Sequence, residues 1–364
     1  MGSHNIGFFL AVVFHALFIF CLPFVVSQCQ KKPVIFNFGD SNSDTGGFSA
    51  ATGFEFGYPD GRAFFQKPTG RLCDGRLVID FLCEHLKANY LTPYLESVGP
   101  DFTNGANFAV GGSATHPKHV PFSLDIQLLE FLRFYNRSLE MHSKGIKDLV
   151  DEKGFKNALY MIDIGQNDLS AAFNSLSYAQ VIEKIPSFIS EIKSAISAMY
   201  ERGAMYFWVH NTGPLGCLPA KLATSKTNAT DFDKHGCIEQ MNEGAKAFNA
   251  ELAALCKQLR SQMQNATIVY VDVYSIKYNL IENSAFYGFK HPLESCCGHG
   301  GPPYNYNSNV KCRTKGYNVC KPSSMHIFWD GVHYTQAANA LIAHHILSTK
   351  YSTPPLGFSF FCNN

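Results

Sequence analysis

The stretch PVIFNFGDSNSDTGG, Pro33 to Gly47, joins a short apolar run to a polar loop. Its apolar part, Val34–Phe38, is bounded by Pro33 and Gly39, a pattern that predicts a buried β-strand. Ser41 follows this strand directly. Ligands of open α/β sheets bind beyond the carboxyl ends of the strands. We therefore expect Ser41 to lie at a sheet edge where chemistry can take place.

Three further apolar runs are typical of strands in the same sheet: residues 159–164, 205–209 and 267–273. Helical patterns separate them, with apolar residues at three- and four-residue spacing over 181–199 and 241–259. Alternation of strand and helix implies right-handed crossovers and a parallel sheet covered on both faces. The predicted fold class is therefore α/β, with three layers, α/β/α, around a central parallel sheet.

Particular residues predict where the helices bend and end. We expect Pro186 to kink the helix over 181–199 and Gly203 to end it. Near the C-terminus, Thr335 can cap a final helix, because its hydroxyl can accept a hydrogen bond from an N–H group of the first turn. No linker interrupts these patterns, so residues 28–364 are predicted to form one catalytic domain.

Composition excludes one class of partner. The chain has 364 residues, of which 46% are hydrophobic and 16% charged, so it can bury a large core. Lys and Arg number 30 and Asp and Glu 29, with no run of basic residues. We therefore do not expect nucleic acid as a partner.

The N-terminus carries a long apolar run. Residues 6–26 are apolar and are followed by Ser27 and Gln28, a pattern typical of a secretory signal peptide over residues 1–27. No Lys or Arg precedes the run, which approaches the length of a membrane span, so a retained anchor is the alternative. We expect a secreted protein, extracellular or in the cell wall, with no stable membrane association once the leader is cleaved. A retained segment would instead place the protein in the secretory-pathway lumen, such as the Golgi.

The cysteine content fits an oxidising compartment. Twelve cysteines occur, and loss of Cys21 with the leader leaves eleven, so at least one thiol is free or intermolecular. Four of them cluster in a loop-like stretch: Cys296, Cys297, Cys312 and Cys320. We expect disulfides there. A zinc site that also uses His299 is the less favoured alternative, because the spacing fits no standard ligand pattern. Cys217 and Cys237 are a plausible local pair.

Three tripeptides match the acceptor pattern for N-linked glycans. They begin at Asn136, Asn228 and Asn265. Glycans are added in the secretory pathway, so these tripeptides are compatible with the predicted leader. We therefore predict glycosylation at these three asparagines.

A base for Ser41 can be found near the C-terminus. A serine hydroxyl is a weak nucleophile unless a neighbouring base removes its proton, and a third group usually orients that base. The stretch WDGVHYT, residues 329–335, supplies Asp330 and His333. If this loop turns back on itself, the Asp330 carboxylate can reach Nδ1 of His333 while Nε2 faces Ser41. A D-x-x-H pattern by itself also fits a solvated capping loop.

Two other segments can supply donors to a developing oxyanion, which ester hydrolysis requires. The first, Ala106–Ser113, ends in two glycines and a serine, and glycine N–H groups can approach a ligand closely. The second, Asp163–Asp168, follows a predicted strand and so places Asn167 at the same sheet edge as Ser41. Each segment alone also fits a tight turn.

Taken together and in this order, FGDSNSDTGG, NFAVGGS, IGQND and DGVH resemble the four conserved blocks of the GDSL esterase/lipase family, a branch of the SGNH hydrolases. The resemblance runs from Pro33 to the C-terminus and is closest to the plant secreted branch. That branch is also similar at residues 70–82, 210–219 and 296–307. The resemblance implies a flavodoxin-like SGNH fold and ester hydrolysis that needs neither a metal nor an organic cofactor.

The family pattern also implies roles for individual residues. Ser41 would be the nucleophile, His333 the base, and Asp330 the acid that orients the base. The oxyanion hole would use the backbone N–H of Ser41, the backbone N–H of a glycine, and the side chain of Asn167. The usual spacing favours Gly112 as that glycine, with Gly111 as the alternative.

Other polar and aromatic residues near these blocks have simpler interpretations. Asp40 and Asp44 are expected to bond loop N–H groups, as Asx motifs do. His210 ends a predicted strand and is expected to be packed and hydrogen-bonded rather than a second base. Tyr304 and Tyr306 could stack on a sugar or phenolic face, or they could pack locally.

The sequence thus predicts a secreted serine carboxylester hydrolase. Relatives in the plant branch suggest short acyl groups, particularly acetyl esters of cell-wall polysaccharide or glycosides. Three alternatives stay open: acyl transfer to an alcohol, an esterase of small acylated metabolites or lipids, and a non-catalytic glycan-binding protein. The residues do not predict the natural substrate or the oligomeric state.

Overall fold

A computed structural model describes residues 29–117 and 120–363. The strands are β1 (Ile35–Gly39), β2 (Gly105–Asn107), β3 (Leu159–Asp163), β4 (Tyr206–His210), β5 (Thr267–Val271), β6 (His291–Ser295), β7 (Cys297–Gly298), β8 (Asn318–Val319), β9 (His326–Phe328) and β10 (Ser352–Thr353). The central sheet has the order β10-β5-β4-β3-β1-β2. All its pairings are parallel except that of β10 with β5. The carboxyl ends of β1 to β5 therefore meet at one edge.

Helices cover this sheet in two groups. They are α1 (Gly47–Thr52), α2 (Val78–His85), α3 (Leu124–Ser143), α4 (Glu152–Asn157), α5 (Gln166–Ala172), α6 (Tyr178–Glu201), α7 (Pro219–Thr224), α8 (Glu239–Gln262), α9 (Val273–Glu282) and α10 (Gln336–Leu347). In one group α6 packs against both α3 and α8, and in the other α10 packs against α2 and α9. The α/β prediction with a mainly parallel central sheet is therefore confirmed.

The predicted strands and helices agree with the structure to within a few residues. The observed α6 extends to Glu201 and contains Pro186, and Gly203 follows it with a φ of 93°. Thr335 caps α10, its hydroxyl accepting a hydrogen bond of 3.2 Å from the Ala338 N–H. The antiparallel edge strand β10 was not predicted, because a two-residue strand carries no periodicity that a sequence pattern can reveal.

Aromatic packing fixes β1 and hence the position of Ser41. Phe36 and Phe38 of β1 are fully buried. The ring of Phe36 stacks on Phe155 at 5.2 Å and meets Phe131 edge-on at 5.4 Å. Such ring pairs add to the stabilisation that comes from burial alone. The strand that precedes Ser41 is therefore held firmly between its helices.

The disulfides answer the questions left open by the cysteines. Cys217 pairs with Cys237, as predicted. The C-terminal cluster forms two bonds, Cys296–Cys320 and Cys297–Cys312, so its sulfurs are not available as zinc ligands. Cys29 pairs with Cys362 and ties the two ends of the described chain together. Among the described cysteines three buried thiols remain free, at Cys73, Cys83 and Cys256.

Two predictions on secretion concern the surface and the leader. The predicted leader, residues 1–27, lies outside the described residues. In the part that is described, every helix is too short or too polar to cross a membrane. Asn136, Asn228 and Asn265 are all exposed, Asn136 on α3. Glycosylation at these residues stays a prediction.

Candidate active site

Ser41 lies two residues beyond the end of β1, in a loop held by carboxylates. The residue is buried, with 6% of its surface exposed. Asp40, just before it, accepts a hydrogen bond of 2.9 Å from the backbone N–H of Asn42 and another from that residue's side-chain amide. The predicted Asx role of Asp40 is thus confirmed.

Asp44 connects this loop to the loop that follows β2. Its carboxylate accepts hydrogen bonds from the backbone N–H groups of Gly46, Phe48 and Gly111, at 2.7, 3.0 and 2.7 Å. The structural role predicted for Asp44 is confirmed. The contact also commits the N–H of Gly111, which therefore cannot be donated to an oxyanion while this bond is in place.

His333 and Asp330 lie in a tight loop between β9 and α10. The N–H of Trp329 donates to the carbonyl oxygen of His333 at 2.7 Å, so the loop does turn back on itself. Nδ1 of His333 lies 2.9 Å from both carboxylate oxygens of Asp330. A carboxylate only accepts hydrogen bonds, so this contact assigns the proton to Nδ1 and leaves the Nε2 lone pair available.

The Asp330 carboxylate is kept ionised by its neighbours. Burial alone would raise its pKa, but the charge and hydrogen bonds of His333, together with the charge of Arg313, hold the pKa of Asp330 well below its usual range. Its Oδ1 also accepts the backbone N–H groups of Val332 and His333, each at 2.9 Å. This carboxylate is therefore a fixed negative charge beside the imidazole.

Three donors were predicted from the sequence for an oxyanion: the N–H groups of Ser41 and Gly112 and the side chain of Asn167. Among the described residues, the backbone N–H groups of Ser41 and Gly112 make no hydrogen bond. Asn167, at the start of α5, donates its side-chain N–H to the carbonyl oxygen of Ser113 at 2.8 Å and contacts Asp40 Oδ2 at 3.4 Å. Gly112 has a φ of 85°, a conformation that favours glycine. The role of these groups in an oxyanion hole stays a prediction.

A cavity of about 250 Å³ lies beside His333 and Asp330. Tyr306 lines it, and so does Leu72, whose Cδ1 lies 3.8 Å from the position a Cβ on Gly111 would take. The cavity therefore borders the loop with the two glycines. No hydrogen bond joins Ser41 Oγ to the His333 ring within the described part of the chain. Catalytic hydrogen bonds are often long before substrate binds.

A buried group of ionisable side chains underlies this edge of the sheet. Burial, and secondly the charge of Asp163, raises the pKa of Asp40 to about 7. Lys277 of α9 is buried, which lowers its pKa, although Asp163 and Asp40 oppose that shift. Its Nζ lies 4.5 Å from the ring centroid of Tyr334. The sequence analysis did not identify Lys277. The signal that could have revealed it is its position four residues after Val273, where a lysine falls on the apolar side of a helix.

His210 is a packed residue, as predicted. Its Nε2 accepts a hydrogen bond of 3.1 Å from the indole N–H of Trp208, and its Nδ1 lies 3.5 Å from Asp163 Oδ2. Both ring nitrogens are therefore engaged below the loop that carries Ser41. Tyr304 packs against the hydrophobic core, whereas Tyr306 faces the cavity.

Comparison with known proteins shows the family to which the chain belongs. Residues 35–346 match the family described as GDSL-like lipase/acylhydrolase. The chain is 54% identical to a GDSL esterase/lipase of Arabidopsis thaliana over 96% of its own length and 97% of the relative's. It is 53% identical to GDSL esterase/lipase LIP-4 of the same plant, over 98% and 96% of the two chains. A third Arabidopsis relative, named alpha-L-fucosidase 3, is 47% identical over 86% of this chain and 90% of the relative.

Proposed function

This chain belongs to the GDSL lipase/acylhydrolase family and is a carboxylic ester hydrolase, and we propose that it works through an acyl-enzyme on Ser41. His333 is the base and Asp330 the acid that orients it. The contact of 2.9 Å between Nδ1 of His333 and the Asp330 carboxylate carries the proposal. It leaves Nε2 as the acceptor that a serine nucleophile requires.

The proposed reaction has two halves. Ser41 Oγ attacks the ester carbonyl carbon as its proton passes to His333 Nε2, and the carbonyl oxygen becomes an oxyanion. Collapse of this intermediate breaks the bond to the alcohol, which takes the proton from His333. Water then attacks the acyl group with His333 again as base, and the carboxylic acid leaves as Ser41 regains its proton.

The oxyanion is proposed to bind three donors: the backbone N–H of Ser41, the backbone N–H of Gly112, and the side chain of Asn167. Support comes from the hydrogen bonds around them. The N–H of Gly111 is taken by Asp44, whereas that of Gly112 has no partner among the described residues. Donors fixed before the reaction stabilise the developing charge without reorganising, which is why such holes are effective.

Short acyl groups on a saccharide are the substrate class that we propose. The cavity of about 250 Å³ beside His333 lies below the usual size of small-molecule sites, roughly 300–1,000 Å³, and so suits an acyl group of few carbons. Tyr306 in its wall offers a ring on which a sugar could pack. Acyl transfer to an alcohol, and hydrolysis of small acylated metabolites or lipids, are the alternatives.

Glycosidase chemistry is less well supported, although one relative bears the name of a fucosidase. Most glycosidases use two carboxylic residues that flank the bond to be cleaved, one of them protonated. At this site Asp330 is bound by His333 and Arg313, and Asp60 is bound by Arg313 and Trp329. Burial raises the pKa of Asp60 to about 6, as a general acid requires, but its oxygens are taken by Arg313 and Trp329. The hydrogen bonds of both carboxylates therefore suit orientation better than proton transfer to a leaving group.

We also propose that the protein is secreted, to the extracellular space or the cell wall. The four disulfides of the described chain support this location, because such bonds persist in oxidising compartments. The predicted leader, residues 1–27, supports it as well.

The test is release of acetate from acetylated xylan and pectin, beside p-nitrophenyl esters of increasing chain length and p-nitrophenyl fucoside. Ser41→Ala should lower ester turnover at least about 1,000-fold. A fluorophosphonate should label the wild type and Ser43→Ala, the matched change in the same loop, but not Ser41→Ala. Retained turnover in Ser41→Ala would refute the mechanism, and turnover of the synthetic esters alone would refute the polysaccharide substrate.

A further inference from the structure

Arg313 lies between two buried carboxylates, one of which is Asp330. Its Nη1 donates to both oxygens of Asp60 at 2.8 Å, and its Nη2 donates to Asp330 Oδ2 at 3.2 Å. Asp60 is fully buried, and the Arg313 side chain is 18% exposed. A guanidinium is planar and presents several donors in fixed directions, so it can hold two carboxylates at a set angle, which an ammonium cannot do.

The contacts form a continuous series from Asp60 to the imidazole. Asp60 binds Arg313, Arg313 binds Asp330, and Asp330 binds Nδ1 of His333. Asp60 also accepts a hydrogen bond of 2.8 Å from the indole N–H of Trp329, the residue just before Asp330. One buried carboxylate therefore fixes both Arg313 and the backbone that carries Asp330.

The position of Arg313 is set by disulfides as well as by charge. The neighbouring Cys312 is bonded to Cys297, whose N–H donates to the carbonyl oxygen of Trp329 at 2.6 Å. Arg313 has a φ of 75°, in the left-handed region that non-glycine residues rarely occupy. Such conformations persist where the surroundings over-determine them, and they concentrate at functional sites. The loop is therefore built to present this one side chain to Asp330.

We propose that Arg313 is a positioning residue for the ester hydrolysis, orienting Asp330 and setting the pH range in which His333 acts as base. This inference rests on the roles proposed above for Asp330 and His333. Arg313 contacts the acid rather than the substrate, so its effect passes through Asp330. The four-residue series Asp60, Arg313, Asp330 and His333 then acts as one unit.

The sign of the effect follows from the charges. A guanidinium near the site disfavours a second positive charge on His333. It also partly neutralises the Asp330 carboxylate, whose charge stabilises the imidazolium. Loss of Arg313 therefore favours protonated His333 and moves the acid limb of activity to higher pH. Burial raises the pKa of Asp60 to about 6, so its carboxylate is ionised mainly above that pH. In that range, loss of the Asp60 charge has the opposite sign, because it removes a negative charge and leaves Arg313 to act on Asp330 alone.

Other charged and titratable groups also face this loop. Lys311 and Tyr306 line the same cavity as His333, and Arg62 lies over the Trp329 ring at 5.1 Å. Asp40 and Lys277 lie on the Ser41 side. All of these groups are unchanged in variants of Arg313 and Asp60, so the difference between variants isolates the contribution of the series.

The experiment is the pH profile of kcat/KM for p-nitrophenyl acetate, with wild type, Arg313→Gln, Arg313→Lys and Asp60→Asn. Arg313→Gln should move the acid limb upward by on the order of one pH unit and lower kcat about tenfold. Arg313→Lys keeps the positive charge but not the planar donors. It should lower kcat but shift the acid limb less than Arg313→Gln does. Asp60→Asn, which keeps an acceptor for Trp329, should move the limb downward.

If Arg313 and Asp60 had a merely structural role, Arg313→Gln and Asp60→Asn would not shift the acid limb in opposite directions. The inference is overturned if the acid limbs of both variants coincide with that of the wild type, or if both acid limbs shift in the same direction. Urea unfolding shows which variants are folded, and Asp60→Asn alone decides the sign if Arg313→Gln does not fold. Turnover that survives in Ser41→Ala would instead refute the proposed function, independently of Arg313.

Discussion

The side-chain amide of Asn167 donates a hydrogen bond of 2.8 Å to the carbonyl oxygen of Ser113. This contact joins the start of α5 to the loop after β2 and orients the amide. The same nitrogen lies 3.4 Å from Asp40 Oδ2, which is a weak hydrogen bond at that distance. The weak contact thus holds the second N–H beside Asp40, the residue before Ser41, and under the proposed mechanism this N–H exchanges Asp40 for the oxyanion.

Asn167→Ala should therefore lower kcat by about 100- to 1,000-fold with little change in KM, because the donor acts on charge that develops only in the transition state. Steady-state kinetics on p-nitrophenyl acetate would measure this. The control is Asn157→Ala at the end of α4, a half-buried residue whose side chain bonds only the Lys153 carbonyl oxygen of its own helix, and its kcat should equal that of the wild type. A fall in kcat of less than threefold in Asn167→Ala would exclude this side chain from the oxyanion hole.

Asp330→Asn should lower kcat by about 1,000- to 10,000-fold. The amide oxygen can still accept the N–H groups of Val332 and His333, but the amide no longer stabilises an imidazolium or fixes the tautomer with Nδ1 protonated. The pKa of Asp330 is held well below its usual range, so its stabilising charge is complete above the unfolded value near 3.8 and is lost only as pH falls below it. The acid limb of activity should consequently belong to the proposed base, His333, rather than to Asp330.

The pH profile of His333→Gln checks this assignment, because that variant should have lost the acid limb along with most of its activity. Urea unfolding of Asp330→Asn at pH 7 provides the folding control. An acid limb that survived unchanged in His333→Gln would assign it to another group, and the proposed base would then be wrong.

Asp40→Asn should change how stability depends on pH. Burial, and secondly Asp163, raises the pKa of Asp40 to about 7, whereas the unfolded value is 3.8. The folded protein thus binds this proton more tightly than the unfolded chain, and its stability falls as pH rises from about 4 to 7. Asparagine cannot ionise, and its side-chain oxygen can still accept the Asn42 N–H.

The free energy of unfolding of Asp40→Asn should exceed that of the wild type by about 1–3 kcal/mol at pH 8 and approach it near pH 4.5. Urea unfolding at the two pH values measures this difference, with the exposed Asp148→Asn as the matched control. An equal pH dependence in Asp40→Asn and the wild type would show that Asp40 ionises without cost in the folded protein.

The sequence could predict those parts of the site whose residues are close together along the chain, and not those whose contacts join distant residues. Ser41 follows an apolar strand, and His333 follows Asp330 by three residues, so local patterns were sufficient for them. The family spacing already favoured Gly112 over Gly111, but the physical reason is a contact between Gly111 and Asp44, 67 residues apart. The pairing of Arg313 with Asp60 spans 253 residues. No periodicity or short motif reports such a pairing, since it exists only once the fold brings the two loops together.

The disulfide Cys297–Cys312 should affect activity as well as stability. It closes 15 residues, and Cys217–Cys237 closes 20, so in each case replacing both cysteines by serine should lower the free energy of unfolding by about 3 kcal/mol. Only Cys297 and Cys312 line the cavity beside His333, and only Cys312 adjoins Arg313. The Cys297→Ser, Cys312→Ser variant should therefore also lose about tenfold in kcat, because the loop no longer fixes Arg313 against Asp330.

The Cys217→Ser, Cys237→Ser variant is the matched control for that experiment, because it should lose a similar amount of stability while keeping kcat within about twofold of the wild type. Both variants are compared at a temperature where urea unfolding shows each to be fully folded. Equal kcat values in the two variants would mean that the loop needs no covalent support to place Arg313. The contacts of Arg313 with Asp60 and Asp330 would then be sufficient by themselves.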